Sequence, residues 1–139
     1  MDKNMDNSIR ALTEVMFNIQ MKSNNFMHLL TYDEDLSENL VLLLLRLKLF
    51  RFLKVTEISE AFLVTPGAAT NMCDKLERLD YIERIRLKDD RRVVRITLTK
   101  KGEERVDKIF SKFSIENLEN ITNVLSEVNI LLNKIEKNI

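Results

Sequence analysis

Eight cations fall between positions 84 and 101: Arg84, Arg86, Lys88, Arg91, Arg92, Arg95, Lys100 and Lys101, opposed only by Asp89 and Asp90. The rest of the chain holds fourteen basic and twenty acidic residues, so a formal net charge of zero hides a basic segment on an acidic remainder. A concentrated positive stripe is what a polyanion partner requires, because each phosphate it neutralises releases condensed counterions. A solvated charged hairpin is the plainer alternative, and charge alone does not separate the two.

Other chemistries have little to work with. The chain has no G-x-S-x-G, no P-loop, no G-x-G-x-x-G and no paired Cys/His motif, so neither catalytic residues nor a cofactor site are expected. His28 is the sole histidine; Asp33, Glu34 and Asp35 are its nearest acidic neighbours, and a lone polar residue at a helix end is expected there rather than a metal site. Cys73 is the sole cysteine, which excludes an intrachain disulfide. It falls on an apolar helix face, where Cys behaves as a small hydrophobe and a redox role is not expected.

These residues must be held by elements, and composition says which kind. Of 139 residues only two are Gly and one is Pro, too few for the turns of an all-β domain. At 45% hydrophobic and 32% charged, the chain suits long amphipathic helices around one core. The longest apolar run, Leu40–Leu45, stops at Arg46, far short of about 20 residues for a membrane span. With a polar start from Met1 to Ser8 and no signal-peptide core, a soluble cytoplasmic protein is expected.

Ile9, Leu12, Met16 and Ile19, widened by Val15, mark an amphipathic helix from Asn7 to about Leu30. After a polar break over Thr31–Asp35, Ser37 can cap a second helix that is apolar nearly all round from Leu40 to Leu53. A short helix from Thr56 to about Leu63 turns Ile58, Ala61 and Phe62 inward. Thr65 and Pro66 then open a fourth, Thr as cap and Pro at the first turn, with Ala69, Met72, Cys73, Leu76 and Leu79 inward. The period next changes to two. Ile82–Leu87 and Val93–Leu98 alternate apolar and basic residues as paired strands, joined by Lys88–Arg92. Thr99 caps a long helix holding Val106, Ile109, Phe110, Phe113, Leu118 and Ile121, and Ser126 caps a last one with Val128, Leu131, Leu132 and Ile135 on one face. The remaining apolar aromatics and methionines (Met16, Met21, Phe26, Met27, Phe50, Phe52, Phe62, Met72) are expected in the core, with a ligand pocket as the alternative.

Two short helices followed at once by a basic hairpin make a winged helix-turn-helix, in a mainly α fold. A helix fits the major groove and a hairpin reaches neighbouring phosphates or the minor groove. The outward face of the fourth helix offers Thr65, Gly67, Ala68, Thr70, Asn71 and Lys75. Thr70 and Asn71 can reach base edges or phosphates, Lys75 a phosphate, and Ala68 a thymine methyl, while Gly67 lets DNA approach the backbone. At the hairpin tip Arg91 and Arg92 can enter a narrow minor groove, with Asp89 expected to hold Arg91 in a bidentate pair.

From Leu36 to Gly102 the sequence resembles the MarR family of transcriptional regulators. The resemblance is carried by Val55–Phe62, by Cys73–Leu79, and above all by Asp89-Asp90-Arg91-Arg92-Val93 leading into Ile96-Thr97-Leu98-Thr99-Lys100-Lys101-Gly102, which matches the family's D-x-R … L-T-x-x-G signature. The sequence departs where the family commonly has Gly: Arg51, Leu63 and Asp80 stand there instead. The resemblance implies a single domain, 1–139, with a winged helix-turn-helix over 36–100 and dimerisation helices over 1–35 and 101–139. It also implies a homodimer that binds a pseudo-palindromic operator in double-stranded DNA, acts as a repressor, and is released by a small-molecule effector. A winged-helix dimer that acts through a protein partner, with little DNA affinity, is the competing reading.

Overall fold

The computed structural model describes residues 2–139, which form two compact units, 2–109 and 110–139. The first holds α1 (Lys3–Thr31), α2 (Glu38–Phe50), α3 (Val55–Phe62), α4 (Pro66–Arg78), β1 (Ile82–Arg86), β2 (Val94–Leu98) and α5, which starts at Lys100 and ends at Phe110. Helix α1 begins earlier than its apolar stripe suggests because the Asp2 side chain accepts from the Asn4 amide at 3.2 Å. Only its last two turns reach the core: Leu30 is its one buried residue among those described.

Helix α2 is the axis of the unit. The Ser37 hydroxyl accepts from the Leu40 amide, and Leu40, Val41, Leu43, Leu44 and Leu47 are all buried. It stops at Phe50, short of the Leu53 its hydrophobicity suggests. Arg51 takes φ 66° and ψ −47°, and the Phe52 amide donates to the Phe50 carbonyl at 2.8 Å in a three-residue turn. Leu53 instead exchanges two backbone hydrogen bonds with Ile96 (3.1 and 2.8 Å), adding a rung to the hairpin.

Helix α3 is entered through Lys54, whose amide donates to Glu57 Oε1 at 2.9 Å. Its contribution to the core is Ile58; Ala61, expected inward, is exposed. Leu63 closes α3 in a left-handed conformation, and Thr65 Oγ1 accepts from the Ala68 amide at 3.1 Å to open α4. Helix α4 buries Ala69, Cys73 and Leu76, while Leu79, expected inward, is exposed. A third residue with positive φ, Asp80, makes the turn into β1.

The strands pair antiparallel from Ile82↔Leu98 to Arg86↔Val94. Opposed residues share a face, so Ile82, Arg84 and Ile96 face the helices while Ile85, Arg95 and Thr97 face away. Thr99 Oγ1 accepts from the Gly102 amide at 3.0 Å, which starts α5 and sends Val106 and Ile109 into the core.

The second unit is α6 (Ile115–Lys137) and the turn before it. The sequence places the break between the last two helices at Ser126; the structure places it at 111–114. The Phe113 amide donates to the Phe110 carbonyl, and Ser114, extended at φ −73°, accepts from the Asn117 amide at 3.1 Å. The helix then runs unbroken through Ser126, leaving Val124, Leu125, Val128, Leu131, Leu132 and Ile135 exposed.

Candidate nucleic-acid interface

The outward face of α4 is built as its cap and period require. Thr65, Gly67, Thr70, Asn71 and Lys75 are exposed and Ala68 is half-buried. The Thr65 oxygen accepts from the Ala68 amide, and its hydroxyl proton and second lone pair are left for a ligand. A methyl group placed on Gly67 would meet nothing of the protein closer than Thr65 Oγ1 at 3.9 Å. The absent side chain therefore leaves room outside the fold, not within it.

Acidic residues on the same helix would repel phosphate, and the sequence reading gave them no partner. Arg84, turned inward on β1, supplies it: its guanidinium donates to Asp74 Oδ1 at 2.7 Å and Glu77 Oε1 at 2.8 Å. One guanidinium thereby holds both carboxylates and offsets one of their two charges, at the expense of one of the eight cations. The register of Arg84 opposite Ile96 turns it toward α4; Arg86 shares that face but lies exposed near the hairpin tip.

The hairpin tip corrects one expectation. Asp89 does not hold Arg91, and among the described residues it makes no ion pair. Asp90 is the organising residue. Its Oδ1 accepts from both the backbone amide and Nε of Arg92 at 3.1 Å, and its Oδ2 accepts from a terminal nitrogen at 3.3 Å. An Asp side chain bonding the amide two residues on is an Asx-turn, and that geometry selects Asp90 over Asp89. Hydrogen bonding from Arg92 holds the Asp90 carboxyl below the usual carboxylate range. Arg86 donates to the Arg91 carbonyl at 2.8 Å, which fixes the Arg91 backbone and leaves its side chain pointing into solvent.

Other cations of the stripe are also committed. Arg95 lies 5.3 Å from the Phe52 ring centre, and Lys101 donates to the Leu79 carbonyl while covering Tyr81. Lys88, Arg91 and Lys100 are exposed and their side chains make no ion pair among the described residues.

Cys73 is fully buried, and burial pushes its thiol above its ordinary value. His28 lies beside the Tyr32 ring, 6.4 Å between centres. The aromatic and methionine set does not behave as one core: Met16, Met21, Phe50 and Phe52 are exposed, and Phe62 lies 5.5 Å beneath the Arg46 guanidinium. Phe52 instead separates two grooves. One, of about 410 Å³, is lined by Leu47, Lys48, Arg51, Thr97, Leu98 and Glu103 besides Phe52 itself.

Two short helices with an exposed polar face on the second, and a basic hairpin braced against it, define a winged helix-turn-helix protein. Residues 36–94 match the MarR family model. Over 59 residues the chain is 39% identical to the HTH-type transcriptional repressor MdtR of Bacillus subtilis (strain 168). That stretch covers 42% of this chain and 38% of the relative, so the match spans well under half the relative's length. The transcriptional regulator BldR from Sulfolobus solfataricus is similar over 100% of both chains, with 25% identity and a TM-score of 0.64. A mutant MarR from E. coli, solved in complex with operator DNA, shares the fold at 18% identity, with a TM-score of 0.60 over 88% of this chain and 96% of that one. The likeness to the MarR family lies in residues 36–94, which hold most of the winged helix-turn-helix.

Proposed function

We propose that the protein is a cytoplasmic transcriptional repressor that binds a pseudo-palindromic operator as a homodimer and is released by a small-molecule effector. The observation that carries this reading is the pairing of an unobstructed α4 face with free cations on the adjoining hairpin, while Arg84 holds α4's Asp74 and Glu77 and offsets one of their two charges. In the complex α4 lies in the major groove, where Gly67, Ala68, Thr70, Asn71 and the Thr65 hydroxyl meet base edges or backbone and Lys75 meets a phosphate. Arg91 enters the neighbouring minor groove and Arg92, steadied by Asp90, follows it; Asp89 contributes an opposing charge rather than a contact.

Dimerisation is supported by the apolar surface the single chain leaves uncovered. Ile9, Leu12, Met16 and Ile19 on α1 are all exposed, as are Val128, Leu131 and Ile135 on α6. Each helix thus leaves its own apolar stripe in solvent, the kind of surface a soluble monomer usually keeps small. The groove beside Phe52 is the candidate receptacle for the effector, with Lys48, Arg51 and Glu103 beside Leu47 and Leu98.

Titration of the protein's own upstream DNA at rising salt tests the reading. Each neutralised phosphate adds about −0.9 to the slope of log K against log salt, and two hairpins with two reading helices give a slope steeper than about −4. Half-sites about one helical turn apart are preferred. Absence of duplex affinity at low salt refutes the reading and points to a protein partner, and a stable monomer by light scattering refutes the dimer.

A further inference from the structure

One buried guanidinium ties together three parts of the first unit that the sequence keeps far apart. Arg105, on the second turn of α5, has a side chain only 11% exposed. One terminal nitrogen donates to the Tyr81 hydroxyl at 2.8 Å. The other donates to Glu34 Oε2 at 2.7 Å and Asp35 Oδ1 at 2.6 Å. Glu34 is equally desolvated, and the loop carrying both carboxylates directly follows α1. A fork that satisfies two acids and a phenol in fixed directions is geometry that Arg supplies and Lys does not.

Tyr81 is itself bound to the end of α4. Its amide donates to the Leu76 carbonyl, and its carbonyl accepts from the Thr99 amide, both at 3.0 Å. Thr99 Oγ1 donates to the Asp80 carbonyl and Lys101 to the Leu79 carbonyl, so every residue of the turn after α4 is held by the start of α5. On the other side, α1 meets the core through its last two turns, with Phe26 and Met27 half-buried and Leu30 buried. Arg105 therefore joins the loop after α1 to the turn that closes α4.

We propose that Arg105 is a positioning residue that fixes the angle between α1 and α4, and thereby the half-site spacing a dimer accepts. This rests on the duplex-binding reading and on α1 as a dimer helix. The lever makes the angle matter: α4 is 13 residues long, about 20 Å, and a swing of about 10° moves its far end by about 3.5 Å, the rise of one base pair. A loosened joint lets the two reading helices of a dimer reach neighbouring registers.

Two measurements test this on the full-length protein. In the first, nitroxide labels at Gln20→Cys and Arg78→Cys, in a Cys73→Ala background diluted with unlabelled chains, report the distance between α1 and α4 without DNA. One narrow distribution is expected, broadened by Tyr81→Phe/Glu34→Gln and by Arg105→Lys. In the second, duplexes whose half-sites are moved by one or two base pairs are titrated. The parent protein loses about tenfold per base pair, whereas the variants vary by less than about threefold across the set, with isolated half-site affinity unchanged. A merely structural contact would lower half-site affinity and spacing preference together. Unchanged label distances and an unchanged spacing profile in Tyr81→Phe/Glu34→Gln, the variant that keeps Arg105, overturn the proposal and leave the duplex reading standing. A parent protein that binds no duplex overturns the duplex reading, and the label distances then decide the angular role by themselves.

Discussion

The chain has two glycines, and the same substitution at each should move stability in opposite directions. At Gly102, a Cβ would fall onto the Tyr81 carbonyl oxygen, far inside van der Waals contact, and 3.1 Å from Leu98 Cδ2. The obstacle is backbone, so α5 must retreat from the turn by on the order of 1 Å. That movement breaks the bond from the Thr99 amide to the Tyr81 carbonyl and strains the one from Gly102 to Thr99 Oγ1. Overpacking costs about 1–3 kcal/mol and the lost hydrogen bond about 1, against a gain of about 0.4–1 kcal/mol from the stiffer unfolded chain. Gly102→Ala is thus expected to destabilise by about 2–3 kcal/mol, a fall in Tm of about 5–10 °C. At Gly67 the nearest atom is 3.9 Å away, only the unfolded-chain gain remains, and Gly67→Ala raises Tm by about 1–4 °C. Thermal melts with urea titrations read both. A Gly102→Ala protein as stable as the parent would show that α5 is not seated against Tyr81 in solution. The Gly67 protein carries a second reading: it should bind operator more weakly although it folds better, because its methyl occupies the space through which DNA approaches the helix.

Asp89→Ala is expected to tighten duplex binding, since it removes a negative charge that holds nothing, while Asp90→Ala weakens it by freeing Arg92; operator titrations giving the same sign for both would contradict the Asx-turn assignment. Cys73 should resist thiol reagents in the native protein at pH 8 and react fully in urea, and Ellman titration showing native reaction at the rate of a free thiol would mean that α4 opens locally. Hydrogen bonding from Arg105 holds the Asp35 carboxyl below its ordinary value, so its contribution is present above about pH 4 and is lost as the pH falls through the lowered value. Urea midpoints of Asp35→Asn should accordingly depend less on pH than those of the parent between about pH 4 and 2.

The reading module was legible because its signals are local. Thr65-Pro66 caps a helix whatever lies around it, and the switch from period 3.6 to period 2 after Tyr81 has no other common meaning. The hairpin partners were misassigned by one residue: an Asp two positions before an Arg was paired through their side chains, whereas the turn selects the Asp that also reaches a backbone amide. The helix break was misplaced because Ser114 and Ser126 both precede residues able to start a helix, and only the turn at Phe110–Phe113 separates them. The Arg105 hub had no signature at all. Its partners lie 24, 70 and 71 residues away, and a bond at that separation leaves no period to read.

Arg51, Leu63 and Asp80, the positions where the family commonly carries glycine, all have positive φ, at 66°, 53° and 65°. Asp tolerates this region, but a left-handed Leu costs about 1–2 kcal/mol, and the tight turn at Arg51 is of a rare and strained kind. Glycine would recover most of that, less about 0.4–1 kcal/mol for a looser unfolded chain. Proteins hold only about 5–15 kcal/mol in total, so the cost narrows the margin within which other residues of this chain can drift before it fails to fold. Laboratory selection for heat resistance should therefore converge on these sites ahead of the core, which is already closed. Leu63, whose side chain is almost wholly in solvent, has the least to lose and would be replaced first.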